Sequence, residues 1–185
     1  MPRLAPLKLE DAPDLADSFT AAEEMMGFTP NDGLIMARRP DITKALGALV
    51  AAIYAPGKVD NGLKRLIGEA TSKAAGCVYC TAHAAHGAHR AGVPTEKIDA
   101  VWSYQESPLF TDAERAAIRV AMGAGVSPNA VTDEDFEALK AHYDDDAIVE
   151  IVSVIAMFGF LNRWNSTLAT ELEATPAAFL KHLRP

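Results

Sequence analysis

Two cysteines and a histidine lie close together in the middle of the sequence. Cys77 and Cys80 form a C-x-x-C motif, and His83 follows three residues later. We expect a helix to begin just after Gly76, which would place Cys77 near free backbone N–H groups and the positive end of a helix dipole, both of which favour thiolate. Residues three apart share a helix face, so the two sulfurs could close a disulfide and His83 could exchange a proton with Cys80. The motif therefore predicts thiol redox chemistry.

Glu69 is predicted to complete a proton relay with these residues. A break at Gly76 would fold the chain into two antiparallel helices, and positions 69 and 83 each lie seven residues from that break. Glu69 would then face His83 across the hairpin. A carboxylate beside an imidazole holds its orientation and raises its pKa, which gives a relay Glu69–His83–Cys80.

Three further residues are expected to support the site. The same hairpin brings Arg65 towards Gly87 and its neighbour His86, and Tyr79 lies inside the C-x-x-C motif. We therefore assign Arg65, His86 and Tyr79 to the surroundings of the reacting groups.

A zinc site is the main alternative for the cysteine segment. Cys77, Cys80, His83 and His86 could supply four ligands, but ligands on one continuous helix do not surround a single metal tetrahedrally. A covalent c-type haem needs histidine directly after the second cysteine, where this chain has Thr81. The predicted site therefore uses neither a metal nor another cofactor.

Composition and charge argue against nucleic-acid and membrane partners. The chain has 185 residues and a net charge of −8, so its surface repels phosphate backbones and anionic lipid. No stretch of signal-peptide character opens the chain, and the apolar run at 147–161 is short for a bilayer span. We expect a cytoplasmic protein with neither nucleic-acid nor membrane partners, in a compartment where paired cysteines are seldom structural.

Helix signals dominate the remaining sequence, while strand patterns are nearly absent. Caps or start signals occur near residues 11–13, 40, 60, 111, 132 and 144, and glycines close segments at 27, 76 and 92. The sequence predicts an all-α, single-domain helical bundle over residues 1–185, with the redox core at about 45–100. The helix from 147 to about 168 is apolar on more than one face, so it is either central or shared between subunits.

The segment 75–83, with the preceding Glu69, the following 92–94 and the later 158–165, resembles the core of the carboxymuconolactone decarboxylase superfamily. Within it, the pattern is most similar to the alkyl hydroperoxidase D-like proteins. Two positions depart from the usual pattern: Arg65 stands where the family has glutamate, and Ala84 where it has histidine.

This resemblance implies an all-helical homo-oligomer (a dimer, trimer or hexamer) that reduces alkyl hydroperoxides. It further implies that Cys80 attacks the peroxide, that Cys77 resolves the product to a disulfide, and that Glu69 and His83 relay protons. A thioredoxin-like or lipoyl dithiol would re-reduce the pair. The alternatives are a lyase or isomerase of the same fold, with bystander cysteines, and a redox-sensing or zinc-holding module.

Overall fold

The computed structural model describes residues 2–183, and its regular elements there are all helical, which confirms the predicted all-α class. Short 3-10 helices occur at Leu9–Asp11, Pro13–Leu15 and Ala100–Ser103. The α-helices are α1 (Ala16–Met26), α2 (Asn31–Met36), α3 (Pro40–Tyr54), α4 (Asn61–Ala74), α5 (Val78–Arg90), α6 (Thr95–Asp99), α7 (Asp112–Gly125), α8 (Asp133–Lys140), α9 (Asp145–Leu168) and α10 (Ala174–His182).

Side-chain caps fix where the longer helices begin. Thr111 and Glu114 form a reciprocal capping box at α7, and Thr132 and Asp135 form another at α8. Asp144 accepts the Ala147 N–H at the start of α9. Each of these starts agrees with the boundary predicted from sequence.

The short helices α2, α6 and α10 were not predicted. They span five to nine residues each, too little for a periodic apolar pattern to stand out. In α10, Pro176 is buried and Phe179 stacks on His89 of α5. Tertiary contact with α5, rather than local propensity, therefore accounts for α10.

The centre of the bundle is α4, which packs against α5, α7 and α9. Its approach to α9 is close enough that a Cβ at Gly68 would collide with the ring of Phe158. Glycine is therefore required at this crossing for steric reasons, because the neighbour is a buried aromatic ring.

Helix α9 is long and apolar enough, by those two measures alone, to cross a membrane. Here it is a core helix, with Ile151 and Val154 fully buried against the bundle. The central position was one of the two predicted for it. Val149, Val152 and Phe160 remain exposed on its outer side, and assembly into an oligomer stays a prediction.

Candidate active site

The C-x-x-C motif lies where α5 begins, as the sequence predicted. Gly76 has a positive φ of +70°, which turns the chain between α4 and α5. Cys77 is the N-cap residue of α5, and its Sγ accepts the backbone N–H of Cys80 at 3.3 Å. Both cysteines are free thiols, with only 3% and 2% of their surface exposed.

The two sulfurs have opposite tendencies to ionise. Hydrogen bonds from the thiol and the backbone N–H of Cys80 lower the pKa of Cys77 to about 6, despite burial. The pKa of Cys80 is raised, first because its proton bonds the Cys77 sulfur and then because the group is buried. The pair therefore releases its first proton from Cys77 and keeps the second on Cys80.

Cys80 lines a cavity of about 450 Å³, whereas Cys77 lies outside its lining. This volume falls in the range of pockets that hold small organic molecules. The cavity extends between α1, α3, α5 and α9, and its walls are largely apolar. Its methionine, phenylalanine and leucine residues are Met25, Met26, Met36, Met157, Phe19, Phe158, Leu46 and Leu161.

His83 also lines this cavity, and its carboxylate partner is Glu173. The His83 Nε2 lies 2.6 Å from the Glu173 Oε2. The other oxygen, Oε1, accepts the Tyr79 hydroxyl at 2.7 Å and the Asn31 N–H at 2.6 Å. Burial alone would raise the pKa of Glu173, but these hydrogen bonds outweigh it and hold the pKa below its ordinary value. Glu173 thus fixes the orientation of the imidazole.

The predicted pairing of Glu69 with His83 is wrong. Glu69 is fully buried on α4, lies outside the cavity lining, and forms an ion pair with Lys73 at 2.9 Å. Burial raises the pKa of Glu69 to about 7, although Lys73 opposes that shift. The register of the two helices places residues 69 and 83 at the same level along the helix axes, but it does not determine the direction of their side chains.

Among the described residues, no direct hydrogen bond joins His83 to Cys80, so the predicted proton exchange between them has no direct contact to support it. Instead, the Cys80 Sγ accepts the Nδ2 of Asn165 at 3.4 Å. The same Nδ2 also donates to the Asp32 Oδ2 at 3.2 Å. Asn165 on α9, itself bonded to Asp32 on α2, thus contacts the second cysteine. His83 and Cys80 both line the cavity, so a molecule bound there could contact both.

The three supporting residues lie around the site. The register of Arg65 with Gly87 is confirmed, because a Cβ at Gly87 would lie 3.2 Å from the Arg65 side chain. The Arg65 guanidinium stacks on the ring of Tyr54 with 3.6 Å between its Cζ and the ring centroid. Tyr79 stacks on His83 with a centroid separation of 4.1 Å.

His86, the third supporting residue, contacts Phe28 and Phe179. Burial, with smaller contributions from Arg90 and the neighbouring histidines, lowers its pKa. Across residues 2–183, no three His, Cys, Asp or Glu side chains converge in a way that could hold a metal ion.

Asp32, Asn165 and Glu173 were missed by sequence reasoning. Asp32 and Glu173 lie in the short segments whose helices were not predicted, far from the cysteines in sequence. Only Asn165 carried a usable signal, because an amide in the most apolar helix suggests a buried polar contact.

Comparison with known proteins places these features among relatives. A model of the carboxymuconolactone decarboxylase family matches residues 40–122, which include both cysteines and His83. The uncharacterized protein YnjA of Escherichia coli is 36% identical over 74 residues, which is 40% of this chain and 41% of that protein. The chain thus matches about two fifths of the length of this relative.

Two solved structures of the debrominase Bmp8 are similar over almost the whole chain. They superpose with a TM-score of 0.93 and 38% identity, covering 98% of this chain and 97% of the other. One is the apo protein, and one is a cysteine-to-alanine variant in complex with 2,3,4-tribromopyrrole.

A peroxidase-related protein from Ralstonia eutropha, described as an alkylhydroperoxidase AhpD core, superposes with a TM-score of 0.82. It is 24% identical, with 95% of this chain and 94% of that one covered. At this level of identity, the likeness concerns the fold.

Proposed function

We propose that the chain is a member of the carboxymuconolactone decarboxylase superfamily, whose family model matches residues 40–122, and that it is an alkyl hydroperoxidase D-like enzyme whose two thiols reduce a small apolar substrate. One observation carries the proposal. The pKa of Cys77 is lowered to about 6, while its partner Cys80 opens onto an apolar cavity of about 450 Å³. A dithiol with one ready proton acceptor and one accessible sulfur is suited to two-electron reduction.

The proposed substrate is a small halogenated ring, and the reaction is reductive removal of the halogen. The debrominase relative, 38% identical over 98% of this chain, supports this class. Four methionines line the cavity, and methionine sulfur makes favourable contacts with aromatic rings. Such a lining favours a flat ring over a flexible alkyl chain.

The chemical step uses both sulfurs and balances within the pair. Cys77 takes the proton of Cys80, and the Cys80 thiolate attacks the bromine, so that an S–Br bond forms and the C–Br bond breaks. His83 protonates the ring carbon. The Cys77 thiol then attacks the Cys80 sulfur, which forms the disulfide and releases bromide, and the Cys77 proton leaves to solvent. The ring gains two electrons and a proton, and the dithiol is oxidised.

His83 is suited to this proton transfer because it lines the cavity and is held by Glu173 at 2.6 Å. A carboxylate partner fixes the orientation of the ring. Tyr79 lies against the imidazole, and burial raises the pKa of its phenol, so that it remains a hydrogen-bond donor to Glu173.

Reduction of an alkyl hydroperoxide is the second candidate. It is favoured by the same pair, because a Cys80 thiolate can attack the distal oxygen, release the alcohol with a proton from His83, and form a sulfenic acid. Cys77 would then displace hydroxide, which leaves as water, and close the disulfide. The substrate loses its O–O bond and the dithiol again supplies two electrons.

Either reaction leaves a disulfide that must be reduced by an external dithiol of the thioredoxin or lipoyl class. We include this reductant and assembly into a homo-oligomer in the proposal. The exposed apolar side chains of α9 (Val149, Val152 and Phe160) support assembly, since contiguous apolar patches mark interaction surfaces.

A single-turnover experiment distinguishes the candidates. Fully reduced protein is mixed anaerobically with 2,3,4-tribromopyrrole or with cumene hydroperoxide, and thiols are counted before and after. We expect each turnover to consume two thiols, release one bromide ion and replace one bromine of the ring with hydrogen. Two thiols lost only with the hydroperoxide would favour the second candidate. Thiols that persist with every compound would refute both and direct the search to lyase or isomerase chemistry.

Matched variants test the assigned roles. Cys80→Ser should abolish thiol loss with either class of substrate. His83→Gln should slow the reaction. His142→Gln should leave the rate unchanged, since His142 is exposed and is not part of the cavity lining. Equal rates for the two histidine variants would contradict the role of His83.

A further inference from the structure

A second, smaller cavity of about 170 Å³ adjoins the first. Both cavities are lined by Met25, Met26, Arg65 and His83. The two cavities therefore meet at the side chains of Arg65 and His83. An ion in the second cavity would lie beside these two residues, next to a substrate in the first cavity.

The second cavity is lined by cationic and neutral side chains. Arg65, Arg90, His83 and His86 are its ionisable residues, and no carboxylate belongs to its described lining. This composition contrasts with a chain whose net charge is −8. A concave site of one sign concentrates the field of its charges and attracts counter-ions.

Neither arginine has its charge compensated by an acid. Arg90 donates to the backbone carbonyls of Met25 and Glu24 at 3.2 and 3.1 Å, so it is anchored to the end of α1 by neutral groups. Arg65 stacks on Tyr54, and its Nε is buried without a hydrogen bond. Among residues 2–183, neither guanidinium forms an ion pair with a carboxylate. A guanidinium without an acidic partner carries an uncompensated positive charge that can bind an anion.

We propose that this cavity binds a small monovalent anion. The inference rests on the proposed function for the origin of the anion, which is either the halide released by the thiols or a carboxylate carried by the substrate. An apolar cavity is a poor environment for a free halide, because burying an unpaired ion is costly. The arginine-lined cavity, which shares Arg65 and His83 with the substrate cavity, gives that ion a position beside positive charges.

Anion binding can be measured without turnover. Reduced protein is titrated with sodium bromide, sodium chloride or sodium acetate at constant ionic strength, and binding is followed by halide NMR line broadening and by the thermal midpoint. We expect saturable binding, with roughly ten- to a hundredfold weaker affinity in Arg65→Met. Arg65→Lys should recover part of that loss, because it restores a positive charge.

Asn61→Asp provides a variant that does not depend on removing a packed side chain. Asn61 lines the cavity and is the first residue of α4, where a negative charge favours the helix. The new carboxylate should weaken anion binding while the fold is retained. Arg163→Met is the matched control, since Arg163 is exposed, lines neither cavity and, among residues 2–183, donates only to Gly159 of its own helix.

The results distinguish the two sources of the anion. They also distinguish failure of the anion site from failure of the proposed dehalogenation. Tighter binding of bromide than of acetate, with bromide as a product inhibitor, indicates the released halide, whereas the reverse order indicates a substrate carboxylate. Halide binding that persists when bromopyrroles leave both thiols intact would retain this site and reject the proposed dehalogenation. Absence of saturable binding, or equal binding in Arg65→Met, Asn61→Asp and Arg163→Met, would overturn the anion site.

Discussion

Replacing Cys80 with alanine should move the ionisation of Cys77 upward in pH. In the wild type, the pKa of Cys77 is about 6, so about 90% of this thiol is ionised at pH 7. An unperturbed cysteine, with a pKa of about 8.5, would be roughly 3% ionised at that pH. The largest contribution to the difference is the hydrogen bond from the Cys80 thiol, which alanine removes.

Part of the effect should survive in Cys80→Ala. The backbone N–H of residue 80 still donates to the Cys77 sulfur, as it does at 3.3 Å in the wild type. The pKa of Cys77 should therefore rise from about 6 but stay below about 8.5. Ser166→Ala should cause a smaller rise, since the Ser166 hydrogen bond contributes less than those from Cys80.

The assay is the thiolate absorbance at 240 nm together with the rate of iodoacetamide alkylation, on reduced protein between pH 4.5 and 9.5. Cys77→Ala should lose the low-pH ionisation altogether, because the remaining Cys80 thiol is buried and burial raises its pKa. If Cys77→Ala kept a thiolate that titrates near pH 6 and Cys80→Ala lost it, the charge would rest on Cys80 and the reasoning would be refuted.

Three further changes test the packing, the buried acid and the imidazole. Gly68→Ala should lower the free energy of unfolding by about 1–3 kcal/mol, because a Cβ collides with Phe158; urea unfolding measures this. Glu69 has its pKa raised to about 7 from an ordinary 4.5, so its contribution to stability is full below pH 4.5 and is lost as pH rises through 7. Glu69→Gln should remove that loss, roughly 3 kcal/mol between pH 5 and pH 8 in urea unfolding. Glu173→Gln should lower kcat roughly tenfold or more with KM little changed, because His83 loses its carboxylate partner; steady-state kinetics across pH tests this.

Each of these changes has a control in the same chain. Gly47→Ala on α3 meets nothing within 4 Å and should stabilise the protein by about 0.5–1 kcal/mol. Glu96→Gln, at an exposed position of α6, should leave the pH dependence of stability unchanged. Glu171→Gln, near Glu173 in sequence but without a bond to His83, should leave kcat unchanged. The packing interpretation would be contradicted if Gly68→Ala and Gly47→Ala changed the free energy of unfolding equally. The two glutamate interpretations would be contradicted if Glu69→Gln matched Glu96→Gln in pH dependence, or if Glu173→Gln matched Glu171→Gln in kcat.

The parts of the fold that sequence predicted are those specified locally. Thr111 and Thr132 each precede an acid at the fourth position of a capping box, and Gly76 breaks the chain between α4 and α5. These signals act through hydrogen bonds and backbone conformation within a few residues, so they are readable without tertiary information. The same local logic placed Cys77 at the N-terminus of α5 and predicted a lowered thiol pKa.

The parts that sequence did not predict depend on side-chain direction and on distant segments. Glu69 and His83 have matching heights in the hairpin, yet the imidazole turns to Glu173, which lies 90 residues further along the chain. A carboxylate that reaches a site from the residue just before a nine-residue helix leaves no periodic signal near the cysteines. Such a partner becomes visible only when α10 is packed against α5.

Cys77 is the sulfur that carries the negative charge, whereas Cys80 is the sulfur that lines the cavity. This difference determines the order of the reaction steps. An anionic sulfur facing an apolar cavity would be poorly solvated, whereas Cys77, at the N-cap, has N–H donors to stabilise it. The reactive Cys80 thiolate is therefore formed by transfer of its proton to Cys77 when a substrate is present. It follows that Cys77 acts before the disulfide step as well as in it. Cys77→Ser should accordingly slow the first bond-breaking event at neutral pH, and a full-rate first step in that variant would show that Cys80 ionises without its partner.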